Sequence, residues 1–300
     1  MPNVRLPAAA LSIVLMTAAC ASSAAPTAST PSTSPPPPTP SSTRAGIDHP
    51  TGATDVVLRI EQSGGFVPID FFANQAPEFT LFGDGRVVFQ QLLQQAPQPG
   101  ADGITHGNPW RIAQLDAGQT EELLKFALGP GGLGAARDSY IQGGLADVPN
   151  TIFTVRAGGL NKTVVVLGLG MERPGNPDEV AFKAFQALAD RLRDFDRGGS
   201  VSTQVYSATA YRGVLVERDP LAPQTAIAWP WPAMKPADFK EGAGDGTGPQ
   251  LPHRSLTPDE VKALGVDGFD GGIQGLFIKS PDGKKTYSLT LRPLLPDEKE

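Results

Sequence analysis

The sequence predicts an α+β fold of antiparallel, hairpin-rich sheets with a few packed amphipathic helices. Short β-branched and aromatic runs recur in pairs around glycine-containing turns, the pattern of β-hairpins. Helical periodicity is confined to a few segments that open on capping residues. With 40% apolar residues in 300, the chain can build real cores without covalent staples.

The first twenty residues stand apart from that fold. A short basic region ends at Arg5, an apolar stretch runs from Ala8 to Ala19, and small residues precede Cys20. This is the layout of a secretory signal. The stretch is shorter than the roughly 20 residues a membrane-spanning helix needs, and no later apolar segment reaches that length without charges. Thr17, Ala18, Ala19 and Cys20 resemble the bacterial lipobox, with Thr17 where Leu is usual. The resemblance implies cleavage before Cys20 and attachment of lipid, palmitate included, to the new terminal cysteine. Cys20 is the only cysteine of the chain, so no internal disulfide competes for it. The expected location is the cell envelope, on the outer face of the cytoplasmic membrane and tied to it by lipid.

Residues 21–54 are Ser, Thr, Ala and Pro with almost no large apolar side chains, and include the run Pro35 to Pro38. Such a segment buries too little surface to offset the entropy of ordering, so it reads as a disordered tether. Extended at about 3.1 Å per residue, it spans up to about 100 Å.

The folded part is expected as an α+β domain over 55–198 and a smaller one over 199–300. Val56 to Ile60 is a β-branched strand ending at Ser63, Gly64, Gly65 and Phe66. Phe79 to Phe89, broken by Gly83, Asp84 and Gly85, is a hairpin. Asp116 and Gln119 form a capping box for a helix through Leu128 that places Leu123, Leu124 and Leu128 on one face, with glycines from Gly129 closing it. A second hairpin pairs Thr151 to Val155 with Lys162 to Leu167 around Gly158 and Gly159. Asn176, Pro177, Asp178 and Glu179 then open a helix whose Phe182, Phe185, Leu188, Leu192 and Phe195 recur every three or four residues as one buried stripe. Gly198, Gly199 and Ser200 end it. The last hundred residues predict a strand at Tyr211 to Glu217, an apolar piece at Ala226 to Trp231, and a surface loop over Lys240 to Gly248. A helix opened by Thr257, Pro258, Asp259 and Glu260 follows, and then a hairpin turning at Asp282 and Gly283.

Chemistry is marked mostly by absences. The net charge of −6, with no cluster of Lys and Arg, excludes a nucleic-acid surface. There is no G-x-S-x-G, H-E-x-x-H, S-x-x-K or paired-cysteine motif, so no metal or cofactor is expected. His49, His106 and His253 are far apart in the chain and read as surface histidines. Gly129, Gly131 and Gly134 satisfy G-x-G-x-x-G but follow a helix rather than a strand, so they read as a helix stop. Asp267 and Asp270 among glycines lack the spacing of a calcium loop and read as a turn. Asn161, Lys162 and Thr163 form a glycosylation acceptor with little meaning in a bacterial lipoprotein. Trp229 and Trp231, spaced by Pro230, are the candidate aromatic binding platform, against a reading as core of an edge strand.

The segments Ser63 to Phe66, Phe79 to Val88, Ala146 to Thr151 and Leu291 to Pro296 resemble a group of uncharacterised secreted lipoproteins of actinobacteria-like bacteria. More loosely, the order of elements between Val57 and Asp196 is similar to emfourin-type inhibitors of metallopeptidases. Two functions follow as expectations. One is a membrane-anchored, non-enzymatic binding or inhibitor-like module whose partner is an envelope protein or peptidase. The other is an envelope hydrolase using carboxylates such as Glu78, Asp84 or Asp147, because acid and base pairs leave no local motif.

Overall fold

Alternation along one strand organises the molecule. In β1 (Val56–Gly64), Leu58 and Ile60 are fully buried on one face, while Arg59 and Glu61 lie on the other, as the two-residue period requires. The strands β2 (Phe79–Phe82), β3 (Arg86–Gln90), β4 (Thr105–His106) and β5 (Trp110–Gln114) follow, then helix α1 (Ala117–Leu128). Next come β6 (Ser139–Tyr140), β7 (Pro149–Ala157), β8 (Leu160–Leu167) and helix α2 (Glu179–Arg193). The chain closes with β9 (Thr203–Val205), β10 (Tyr211–Arg218), β11 (His253–Leu256), α3 (Pro258–Lys262), β12 (Ile273–Lys279) and β13 (Thr286–Pro293). The computed structural model describes residues 46–66, 72, 75–196, 201–218, 225–241, 251–266 and 270–298.

The fold is mixed, mostly sheet, with antiparallel sheets and few helices. Among the described residues one sheet has eight strands in the order β6-β8-β7-β1-β2-β3-β5-β9, and the other has five in the order β11-β10-β13-β12-β4. The pairing of β6 with β8 is parallel. The hairpins form at the expected turns: β2 and β3 around Gly85 (φ 81°), β7 and β8 around Gly158 and Gly159, and β12 and β13 around Gly283. The expected boundary after residue 198 falls between stretches that each lend a strand to the other's sheet. From the first stretch, β4 pairs with β12, setting His106 opposite Ile273; from the second, β9 pairs with β5. Ala45–Glu300 is accordingly one compact unit.

Residues 46–54, assigned by composition to the tether, are part of the fold. Ile47 packs on the main core, and the Asp48 carbonyl accepts a hydrogen bond of 2.8 Å from Gly158 N–H. Backbone pairing and one isoleucine do what the sparse apolar content of the segment does not. The tether's earlier residues, 21–45, lie outside the described residues, as does Cys20.

The helices cover one face of the large sheet. In α1 the capping box is complete, with Asp116 Oδ1 accepting from Gln119 N–H at 2.8 Å and Gln119 Oε1 from Asp116 N–H at 3.0 Å. Leu123 and Leu124 join the core with Phe182, Phe185, Leu188 and Leu192 of α2. Phe195 sits just past α2, edge-on to Phe79 at 5.1 Å and Phe89 at 5.4 Å. The start of α2 differs from expectation. Asn176 Oδ1 accepts from Asp178 N–H at 3.0 Å in a turn, the Asp178 carboxylate is drawn to Arg137 at 2.6 Å, and the helix begins only at Glu179. The smaller sheet has its own core, with Trp231, Phe239, Leu276, Ile278, Leu289 and Leu291 in contact.

The opposite face of the large sheet is closed by the C-terminal segment. Leu295 packs with Val56, Phe82, Val88 and Trp110. Around it stands a buried ionic clamp. Arg59 Nη2 donates to both oxygens of Asp297 at 2.7 and 2.8 Å. Arg292, only 6% exposed, grips Glu298 through both terminal nitrogens at 2.8 and 2.7 Å. Glu298 also accepts from Leu295 N–H at 2.7 Å, and Tyr206 O–H donates to Leu294 O at 2.8 Å. Despite its burial, Glu298 titrates below the ordinary carboxyl range because Arg292 holds its charge. Burial pushes Tyr206 up to about 12, with Glu298 adding to the shift. Glu61, beside the clamp, is pushed above the ordinary 4.5 by burial, against the opposing pull of Arg59.

Removing one partner of a buried ion pair leaves the other charge uncompensated. Arg292→Met is therefore expected to destabilise by about 3 to 5 kcal/mol, and adding Glu298→Leu to recover much of that loss, as read from urea unfolding. Glu61 has the opposite sign: its raised folded pKa means that its charge opposes folding once pH exceeds the unfolded value. Glu61→Gln should raise the unfolding midpoint at pH 7, and the gain should vanish as pH falls through 4.5, where the carboxyl is protonated in both states. A gain of equal size at both pH values would show that packing rather than charge is responsible.

Candidate functional site

The two ends of the large sheet carry different loops. One end gathers residues 46–55, the Gly83 to Gly85 turn and the Gly158 to Gly159 turn, through hydrogen bonds such as Gly83 N–H to Asp55 O at 2.8 Å. The folded unit receives the preceding chain at this end. The far end gathers the residues after β1, those before β2 and β7, those after β8, and the long β3 to β5 connection. Surface loops on a rigid sheet are where binding groups concentrate, so the far end is the candidate site.

Its most unusual residue is Phe66, which is 90% exposed. Gly64 and Gly65 precede it at φ 71° and 85°, a backbone that side chains other than glycine rarely adopt. Phe66 N–H donates to Asp147 O at 3.1 Å, and Asp147 is itself left-handed at φ 58°. Two tight turns thus hold one aromatic ring in solvent. Next to them, Gln142 is 8% exposed and staples two loops: its Nε2 donates to Leu167 O and Gly168 O at 3.3 Å, and its Oε1 accepts from Arg173 N–H at 3.2 Å. Arg173 in turn donates to Gly144 O. Ile141 (74% exposed) and Met171 (52%) are carried on these stapled loops. Periodicity cannot flag this surface, because Phe66, Ile141 and Met171 come from three separate stretches of the chain.

On the other side of β1, the far end opens into a cleft of about 400 Å³ between the two sheets. Gln62 of β1, Gln90 of β3, Thr105 of β4 and Gln274 of β12 line it, with Gln75 and Asn108 from connections. Glu78 also lines the cleft, but Arg193 Nε holds its carboxylate at 2.7 Å.

The sequence candidates are scattered. Trp231 is 5% exposed, with Nε1–H bonded to Glu260 O at 2.7 Å, so any platform rests on Trp229. Trp229 is half-buried and edge-on to Trp231 at 5.3 Å, its Nε1–H shared between Trp231 O and Met234 O, and it borders a shallow groove with Pro232 and Lys279. Of the carboxylates, Glu78 and Asp84 stand at opposite ends of β2, and Asp147 lies beyond β1 on its other side. Asp84 is tied to Arg86 Nε at 2.6 Å. His106 and His253 sit on opposite edge strands of the smaller sheet, and His49 is beside the Gly83 turn. Gly129 and Gly131 close α1, their N–H groups donating to Lys125 O and Phe126 O at 3.0 and 2.7 Å. Asp270 accepts from Trp110 N–H through its carbonyl, while Asp267 and most of the Lys240 to Gly248 loop lie outside the described residues. Among the described residues no group of three or more His, Cys, Asp or Glu side chains could hold a metal ion, and no helix is long and apolar enough to cross a membrane.

Comparison with protein-family models, with curated proteins and with solved structures finds no match to this chain.

Proposed function

We propose that the protein is a lipid-anchored extracytoplasmic binding module, inhibitor-like in form, that engages an envelope protein through the loops at the far end of its large sheet. The observation that carries the reading is Phe66. Its backbone is set by paired turns while its ring stands 90% exposed, and aromatic anchors dominate protein interfaces. Ile141 and Met171 on stapled loops extend the apolar surface around it. The lipobox-like run at Cys20 and the proline-rich segment after it supply the anchor, and the chain joins the fold at the end opposite Phe66. The resemblance to emfourin-type inhibitors makes a peptidase the first partner to seek.

Two measurements test the parts separately. Cys20→Ala should release the protein to the medium or leave an uncut precursor; unchanged membrane retention with normal processing contradicts lipidation. Phe66→Ser should leave the unfolding free energy within about 0.5 kcal/mol, since it removes only an exposed side chain. The same change should reduce capture of the partner from solubilised envelope at least tenfold, a hot-spot loss of about 1.4 kcal/mol or more. Equal recovery by wild type and Phe66→Ser would move the docking face elsewhere.

A further inference from the structure

The cleft beside β1 has chemistry of its own, independent of the docking loops. At about 400 Å³ it falls at the small end of the roughly 300 to 1,000 Å³ typical of small-molecule sites. Five of its eleven lining residues carry carboxamides. Those of Gln62, Gln75 and Gln274 make no hydrogen bond among the described residues, and Gln90 uses one donor, to Pro77 O at 3.3 Å. Asn108 Oδ1 is buried with no donor among the described residues, an uncompensated acceptor that an incoming hydroxyl would satisfy.

The surroundings narrow the ligand class. Several main-chain groups at the cleft are spent: Gln90 N–H donates to Glu78 O at 2.9 Å, Glu78 N–H to Ile60 O at 2.9 Å, and Gly107 N–H to Gly272 O at 2.6 Å. An extended peptide, which is read through a free strand edge, finds none along β2 and β3, each paired on both sides. A charged ligand finds no free counter-charge either, because Glu78 is neutralised by Arg193. Each carboxamide does offer a donor and an acceptor side by side, matching hydroxyls that both give and accept hydrogen bonds. Ala76, Ala96 and Pro97 add small apolar surface for C–H faces. We propose that this cleft binds a short uncharged saccharide of one or two rings, held by Gln62, Gln90, Gln274 and Asn108.

The test uses the full chain with Gln62→Leu/Gln274→Leu as the site variant and Phe66→Ser as a control outside the cleft. The probes are cellobiose, trehalose and N,N′-diacetylchitobiose, with glucuronate and trialanine as charged and peptide comparators, read by saturation-transfer NMR and by calorimetric titration. At least one disaccharide should bind, with affinity about tenfold or more weaker in the double variant, as two lost hydrogen-bonding groups imply, and unchanged in Phe66→Ser. Thermal unfolding of the double variant at the wild-type midpoint establishes that it is folded; should it unfold, Gln274→Glu, which places an unpaired charge in the cleft, replaces it with the same expected loss. Binding of no disaccharide, binding indifferent to the cleft variants, or preference for trialanine or glucuronate would each overturn the proposal. Because Phe66→Ser serves as control here and as the test variant for docking, either reading can fail without the other.

Discussion

The rest of the structure depends on β1 being buried on both faces. Its Leu58 and Ile60 sit beneath α1 and α2, and its Arg59 reaches across the other face to Asp297. Over Val56 to Ile60 such a strand has little solvent-facing surface, and the price is a charged side chain where apolar packing would be expected. Arg292 and Glu298 complete the arrangement by fixing the C-terminal segment that seals this face. The segment therefore acts as a lid of the core even though it adds no strand beyond β13.

That two-sided burial explains why the molecule has a distinct far end. The faces are occupied by helices and by the C-terminal segment, so surface for recognition is left at strand ends. At one end the loops are short hairpin turns and the incoming residues 46–55. At the other, the described loops beside β7 and β8 are ordered by side chains. Gln142 bonds to three backbone groups, and Asp147 accepts a left-handed backbone to receive Phe66 N–H. The smaller sheet meets this end through β4, which creates the amide-lined cleft. The far-end loops and the cleft are thus products of the same topology.

Local signals were legible in the sequence and long-range ones were not. The capping box at Asp116 forms as read, and the helix opened at Thr257 carries another, because a cap involves residues three apart. The hairpins at Gly85, Gly158 and Gly283 form because their turns demand a backbone that glycine supplies. By contrast, pairing of β4 with β12 joins residues far apart in the chain, and a two-residue strand has no periodicity to announce it. The fold's early start at Ile47 was hidden by a composition that resembles the preceding tether. Trp231 is a core residue, and its burial rests on Phe239 and the α3 region, which no local pattern connects to it. The cleft carboxamides come from β1, β3, β12 and connections between strands, so no spacing in sequence marks them.

The central claim is that recognition belongs to the far end of the large sheet. Amide hydrogen exchange of the full chain, alone and with its captured envelope partner, reads this directly. The account predicts protection at residues 64–66, 141–148 and 168–173, with the Gly83 and Gly158 turns unchanged. Protection concentrated at those turns, or confined to the smaller sheet, would contradict it.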